Sequence, residues 1–159
     1  MTDPILTGGC QCGAVRYRLT AEPRSSVCHC RMCQKAVGGP FAALAKVPDS
    51  AFAWTRGQPA AFRSSTAAER HFCRDCGTPL TFHYLDGDGI EVTTASLDDP
   101  AAWPPTMVFG TESRLPWIAI LAGDTLPLGM PSQPATGPRT IVSRQHPDRE
   151  TPRGWQPPG

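Results

Sequence analysis

The stretch FCRDCGT, residues 72–78, is the segment on which we expect the fold of this chain to depend. It is a C-x-x-C pair followed by glycine, in which the second thiolate leaves a tight turn whose backbone N–H groups can bond to the sulfurs. Near the start, GGCQCG at residues 8–13 offers a closer pair between glycines that let the backbone turn around an ion. The two pairs would complete a tetrahedral four-thiolate zinc site made of Cys10, Cys12, Cys73 and Cys76. Such a site would tie the first strand to the middle of the chain.

This predicted site would be structural, because zinc held by four protein ligands has no open position. A closed site can contribute on the order of 10 kcal/mol to folding. The alternatives are a redox-active C-x-x-C pair and buried thiols without a metal. The redox alternative is disfavoured because GTPLTF follows Cys76, whereas a helix usually lowers the pKa of such a pair.

A third group, CHCRMC at residues 28–33, holds the remaining cysteines: Cys28, Cys30 and Cys33. The odd total of seven cysteines argues against a complete disulfide framework. Three protein ligands are typical of catalytic zinc, whose fourth position stays open. A substrate thiol arriving there would lose its proton and become a nucleophile at neutral pH. The sequence therefore predicts a second zinc site, and a catalytic one.

Residues around this group have two interpretations each. His29 could be a fourth ligand or a proton shuttle, but its position between two ligands favours a supporting or structural role. GGPF at residues 38–41 could bring the backbone close to the metal as a pocket wall, or simply form a turn before the next strand. His71 and His83 are interpreted as ordinary strand residues, and Trp54 and Trp117 as core aromatics.

The composition indicates one globular domain in a chain of 159 residues with a net charge of +1 and 40% apolar residues. Neither a secretory signal nor an apolar run of about 20 residues is present, so we expect a cytoplasmic protein without a membrane partner. In a reducing compartment, clustered cysteines are more often metal ligands or catalytic groups than disulfides. Residues 1–130 carry a net charge of −1, which disfavours nucleic acid as a partner.

Short alternating runs bounded by Gly, Pro and Asp predict a mostly β, antiparallel domain over residues 1–130. DGDG at residues 86–89 predicts a hairpin turn. Short helical turns are expected at MCQKAVGG and DDPAAW. Residues 131–159, rich in proline, are predicted to be a disordered, mobile tail. The predicted strands are AVRYRL, FAALAKV, PLTFHYL, GIEVTTA and a buried WIAIL.

The sequence resembles the glutathione-dependent formaldehyde-activating (GFA, or CENP-V/GFA) family. The resemblance rests on four stretches in the family's order: GGCQCGAVRY, CHCRMCQKAVGGPF, FRSSTAAERHFCRDCGTPLTF and ESRLPWIAI with the following GDTLPL. It implies a β-tent fold, with a structural zinc on the four-cysteine set and a catalytic zinc on the three-cysteine set. It also implies carbon–sulfur lyase chemistry, in which the thiol of glutathione adds reversibly to formaldehyde to give S-hydroxymethylglutathione.

Glutathione carries two carboxylates, so a dedicated site should offer cationic donors near the open metal position. The candidates are Arg31, Arg63 and Arg70, and the alternative for each is a solvated surface charge. Two other functions compete with the lyase. One is a zinc-stabilised binding module without catalysis, and the other is a thiol-based redox or metal sensor. The sequence gives no indication of the oligomeric state.

Overall fold

The structure is a computed structural model that describes residues 6–121 and 143–157. The mostly β prediction is confirmed, because the described residues form ten strands and only short helices. The elements, in chain order, are β1 (Leu6–Gly9), β2 (Arg16–Leu19), β3 (Arg24–Cys28), α1 (Arg31–Val37), β4 (Ala42–Pro48), β5 (Phe52–Arg56), β6 (Ala60–Arg63), β7 (Ala68–Phe72), β8 (Pro79–Tyr84), β9 (Gly89–Thr93), β10 (Met107–Phe109) and α2 (Ile118–Leu121).

Two sheets share these strands. The smaller sheet has the order β1-β2-β5 and the larger has the order β10-β3-β4-β9-β8-β7-β6. The described strand pairs are antiparallel except for β10, which runs parallel to β3. The predicted hairpin at DGDG joins β8 to β9, and the N–H of Gly87 donates to the carbonyl of Tyr84 at 3.1 Å. The FCRDCGT turn lies between β7 and β8, and GGCQCG lies between β1 and β2.

The core draws buried side chains from both sheets. Tyr17 of β2 and Val92 of β9 belong to one cluster that also contains Cys10 and Cys73. Burying each large apolar side chain contributes about 1.5–3 kcal/mol. The Tyr17 hydroxyl pairs with the Ser96 hydroxyl at 2.7 Å, so its polar end is satisfied inside the core. The two cysteine pairs are therefore placed where the sheets meet.

The prediction of a buried strand at WIAIL is wrong. Ile118–Leu121 is a short helix, and Trp117 before it is 47% exposed, so Trp117 is not a core aromatic. A short apolar run does not distinguish a strand from a helix, nor a buried segment from a surface one. Trp54 is partly buried and packs edge-on against Phe52 with ring centroids 4.8 Å apart, as expected of a core aromatic.

Residues 143–157 contact the GGCQCG turn and β2. His146 is only 4% exposed, and its backbone N–H donates to the backbone carbonyl of Gln11 at 2.7 Å. Glu150 pairs with the buried Arg16 at 2.8 Å. This part of the chain, expected to be a mobile tail, thus packs on the sheets, while the boundary predicted between residues 130 and 131 lies outside the described residues. No helix in the described part of the chain is both long and apolar enough to cross a membrane.

Two glycines at equivalent positions in the two cysteine turns allow this packing to be tested by substitution. Gly13 and Gly77 each follow the second cysteine of a pair, and both have φ of +77°. A Cβ at Gly77 would meet no atom within 4 Å, whereas one at Gly13 would lie 2.8 Å from Cγ of His146 and closer still to its Cδ2. We expect Gly77→Ala to lower the free energy of unfolding by about 1 kcal/mol through backbone strain alone. Gly13→Ala should cost about 1–3 kcal/mol more, from overpacking.

Denaturant unfolding of the metal-loaded protein measures both effects. In a His146→Ala background the cost of Gly13→Ala should fall toward that of Gly77→Ala, because the ring is gone and only the Cβ at position 146, 3.1 Å from the new methyl group, remains. If the two glycine variants lose the same stability in the wild-type background, residues 143–157 do not occupy this position.

Candidate metal centres

The four-cysteine cluster is built from two similar turns. In the first, the N–H of Gly13 donates to the carbonyl of Cys10 at 3.0 Å, and in the second the N–H of Gly77 donates to the carbonyl of Cys73 at 2.8 Å. The positive φ of each glycine lets the chain reverse immediately after the second thiol. The two turns are joined through Thr78, whose hydroxyl accepts from the N–H of Gln11 at 3.0 Å.

The sulfurs of this cluster have the spacing of a tetrahedral metal site. All four lie within 4.8 Å of one another, with 3.6 Å between Cys10 and Cys12 and 3.8 Å between Cys12 and Cys73. Metal–sulfur bonds of about 2.3 Å give a sulfur–sulfur separation of about 3.8 Å in a tetrahedron. The seven cysteines are free thiols. The structure thus brings together the four predicted ligands in a geometry that fits a thiophilic divalent cation.

The protonation states within this cluster differ. Burial raises the pKa of the Cys12 and Cys73 thiols. Burial also opposes ionisation of Cys76, but hydrogen bonds from the Thr78 hydroxyl and backbone N–H outweigh it and lower the pKa of Cys76 to about 6. Ionisation at neutral pH is therefore favoured at Cys76, and binding of a cation must release protons from Cys12 and Cys73.

The three-cysteine cluster forms at the junction of β3 and α1. Cys28 ends β3, Cys30 caps the start of α1, and Cys33 lies in its first turn. The N–H of Cys33 donates to Sγ of Cys30 at 3.4 Å, so the cap itself draws two of the sulfurs together. The three sulfurs lie within 4.8 Å of one another. Within the described residues this group has three cysteines and no fourth ligand.

The three thiols of this cluster also differ in the direction in which their pKa is shifted. Burial raises the pKa of Cys28 to about 12. Burial acts against ionisation of Cys30 as well, but the N–H of Cys33 and its neighbours bond to the sulfur and lower the pKa of Cys30 overall. For Cys33 burial is the largest influence and raises the pKa, although Arg70 opposes it.

Arg70 on β7 is the candidate arginine that contacts this cluster. Its Nη2 donates to Sγ of Cys33 at 3.3 Å, and its guanidinium lies 4.6 Å from the ring centroid of Phe82. Arg31 instead bonds to the side chain of Gln34 at 3.0 Å, and Arg63 is exposed at the end of β6. The positive charge of Arg70 thus favours the thiolate form of Cys33, against the effect of burial.

His29 is buried behind the cluster and is not grouped with its sulfurs. Its ring packs on Phe41 with centroids 5.4 Å apart, and its Nδ1 makes no hydrogen bond to the described residues. This position favours a structural role over that of a ligand. The other two histidines interpreted as strand residues lie in β7 and β8, where His71 pairs with the hydroxyl of Thr81 at 2.8 Å.

Two residues that support the three-cysteine loop were missed by the sequence analysis. Gln34 is buried, and its Nε2 donates to the carbonyls of His29 at 2.7 Å and Ser113 at 2.9 Å. Gly110 has φ of +65°, and a Cβ there would lie 2.5 Å from the backbone nitrogen of Cys30. A polar residue directly after Cys33 was a possible signal for Gln34. Gly110 had no local signal, because its contact is distant in sequence.

Two cavities lie next to helix α1, and Val37 at its end lines both. The larger, of about 740 Å³, lies between α1 and strands β6, β7 and β8. The smaller, of about 350 Å³, is lined in part by Gly39 and Phe41 of the GGPF stretch. Pro79 and Thr93 line both cavities. GGPF therefore forms a pocket wall as well as a turn into β4, although the pocket that it lines is the smaller one.

The fold and the two clusters define the class: a small β protein built around two cysteine groups that could hold metal ions. The model of the family described as "Glutathione-dependent formaldehyde-activating enzyme" matches residues 5–113, and the chain belongs to this family. The family resemblance noted in the sequence is thereby confirmed.

Two individual relatives and one solved structure are also similar to this chain. An uncharacterized lyase of Schizosaccharomyces pombe is 34% identical over 85 residues, which are 53% of this chain and 61% of the relative. A protein of Halomonas elongata whose name repeats the family's description is 27% identical over 73% of this chain and 81% of its own length. A crystal structure of a Rhodobacter sphaeroides protein superposes with a TM-score of 0.51 at 25% identity, covering 64% of this chain and 98% of that one.

The two clusters should respond differently to loss of one thiol. Cys76→Ser breaks the four-cysteine set, so we expect it to lose a bound ion and to lower the free energy of unfolding by at least about 3 kcal/mol. Cys30→Ser should lose the other ion at a cost below about 1 kcal/mol, because a serine hydroxyl can still cap α1. Metal analysis of the purified proteins with thermal unfolding measures both effects. Unchanged metal content and melting in Cys76→Ser would contradict the division of ligands.

Proposed function

We propose that this protein is a zinc-dependent carbon–sulfur lyase that forms or breaks a thiol–aldehyde adduct, with S-hydroxymethylglutathione as the first candidate. The observation that carries the proposal is the three-cysteine cluster. It offers three sulfurs, one of which accepts a hydrogen bond from Arg70, and Arg70 also lines the larger cavity. A site with three protein ligands can accept a substrate atom, whereas the four-cysteine set is complete. The family description and the lyase relative support this assignment.

Zinc is the cation that we propose for both clusters, because it prefers thiolate donors and the sulfurs of each cluster lie within 4.8 Å of one another. Cys10, Cys12, Cys73 and Cys76 would hold the structural ion, and Cys28, Cys30 and Cys33 would hold the catalytic one. When bound at the three-cysteine cluster, zinc would supply an open position that lowers the pKa of a thiol and polarises a carbonyl.

The chain's own residues would prepare this position. Three hydrogen bonds hold the loop that carries the sulfurs. One runs from the N–H of Cys33 to Sγ of Cys30, and the other two are donated by the side chain of Gln34. Arg70 offsets the negative charge that collects where three thiolates meet, and it also lines the larger cavity, where it could pair with a substrate carboxylate. The preorganised loop would thus hold the reacting sulfur while Arg70 orients the rest of the thiol.

The proposed reaction balances without any oxidant or reductant. A sulfur–carbon bond forms between the thiol sulfur and the aldehyde carbon, and the proton lost from the thiol ends on the carbonyl oxygen as a hydroxyl. The reverse reaction breaks the same bond and returns the thiol and the aldehyde. The seven free thiols suit a reducing compartment, and we propose the cytoplasm as the location.

Exchange NMR of isotope-labelled formaldehyde with glutathione tests this function directly. The zinc-loaded protein should accelerate exchange between free formaldehyde and its adduct, and Cys30→Ser should abolish the acceleration while remaining folded. Because the adduct also forms without a catalyst, the protein-free rate is subtracted. If wild-type protein that holds two zinc ions gives no acceleration, the lyase proposal fails and a binding module becomes the better explanation.

Arg70 and Arg63 form a matched pair for testing recognition of the thiol. Arg70→Gln removes the charge next to Cys33, so we expect KM for glutathione to rise about tenfold, as for loss of one charge-assisted contact. Arg63→Gln removes an exposed arginine at the end of β6 and should change KM less than twofold. Steady-state kinetics with melting curves provides the comparison, and equal KM values for the two variants would exclude Arg70 from substrate binding.

A further inference from the structure

The larger cavity is too apolar and too large for a formaldehyde-derived group alone. Its volume is about 740 Å³, and half of its lining is apolar: Met32, Ala36, Val37, Leu44, Ala61, Phe62, Phe72 and Pro79. Phe62 is 62% exposed and Met32 is 59% exposed, so large apolar side chains are open to solvent at this cavity. Apolar surface exposed around a concavity of this kind marks a binding site for an apolar group.

The same cavity carries a set of basic side chains. Arg31 and Lys35 of α1 and Arg70 of β7 line it, and no carboxylate does so within the described residues. Cationic groups at the border of an apolar cavity complement a ligand that has both an apolar body and negative charge. A neutral hydrocarbon would leave these basic groups without an anionic partner, and a small anion would leave the apolar walls exposed to water.

The cavity adjoins the three-cysteine cluster through two residues. Leu44 lines the cavity and packs in one buried cluster with Cys33, and Arg70 lines the cavity and donates to Sγ of Cys33. Helix α1 carries Cys33 on the metal side and Lys35 on the cavity side. A substrate whose sulfur meets the cysteine cluster would therefore have its organic substituent next to the cavity.

We propose that the cavity binds the aldehyde-derived group of the substrate, and that the substrate class is carboxylate-bearing thiol adducts of apolar aldehydes, with aryl or medium-length alkyl groups. This inference rests on the proposed lyase function and names the substrates of the same site. Formaldehyde would be accepted because it is small, and larger apolar aldehydes would be preferred because they cover the walls.

Binding of thioether analogues tests the cavity separately from catalysis. S-methylglutathione and S-hexylglutathione have no thiol proton and cannot react, so calorimetric titration of the zinc-loaded protein reports recognition alone. We expect the hexyl compound to bind at least about tenfold more tightly, since each buried methylene adds to affinity. The diethyl ester of S-hexylglutathione, which lacks both carboxylates, should bind about tenfold more weakly than the acid. Equal affinities in either comparison would overturn the proposal.

Two exposed apolar residues provide the variants. Phe62→Ser alters the cavity, and we expect it to reduce the preference for hexyl over methyl to less than about threefold. Met107→Ser on β10, at a residue that is 46% exposed and not part of the cavity, should leave the preference unchanged. A preference that persists in Phe62→Ser would place the binding group elsewhere and overturn the assignment of the cavity.

The two proposals fail in different ways. Equal binding of the methyl and hexyl compounds, with formaldehyde exchange still accelerated, would overturn the substrate class and leave the lyase. Tight and selective binding of the hexyl compound, with no acceleration of exchange by protein holding two zinc ions, would support the cavity as the site for an apolar anion and remove the lyase.

Discussion

Convergence of four thiols from two distant turns is the constraint on which the rest of the structure depends. Cys12 and Cys73 are 61 positions apart in sequence, yet their sulfurs are 3.8 Å apart. Burial raises the pKa of both thiols, so they stay protonated in the absence of a cation. As thiolates at this distance they would repel by about 4 kcal/mol at an effective dielectric constant of about 20. A bound cation would reverse the sign of this interaction. With an ion bound, the junction of the two sheets would be held by a charge balance as well as by apolar packing.

The second cluster uses the same side chains in a different setting. There the sulfurs come from one continuous loop, so their spacing is a local property of a strand end and a helix cap. Among the described residues no second turn supplies a further sulfur to this cluster, and the side chain that reaches it from a distant strand is Arg70. The number of sulfur donors thus distinguishes the two clusters. Four sulfurs complete a metal site, whereas three leave a position that a substrate could reach.

The short spacing of the cysteines within each group explains why their grouping could be predicted from the sequence. Each cysteine group lies within a few residues, and the glycines after the pairs mark turns, so the grouping of sulfurs followed from sequence alone. Contacts between distant segments could not be predicted in this way. Arg70 reaches Cys33 only because β7 and α1 approach in the fold, and β10, with three exposed residues, has no alternating pattern. The error at Trp117 has the same origin, because its apolar run was assigned to the core without knowledge of what covers it.

Helix α1 joins the two properties that define the candidate site. Its seven residues include Cys33, and the five that line the cavity are Arg31, Met32, Lys35, Ala36 and Val37. Metal binding needs only the thiols and the backbone N–H groups that cap the helix, so the side chains at the cavity can change without disturbing the sulfurs. Under the proposed function, the cysteine spacing would preserve one chemistry while the cavity walls would determine which aldehyde-derived group is accepted. A family model that matches the cysteine groups consequently fixes the type of site more firmly than the identity of its substrate.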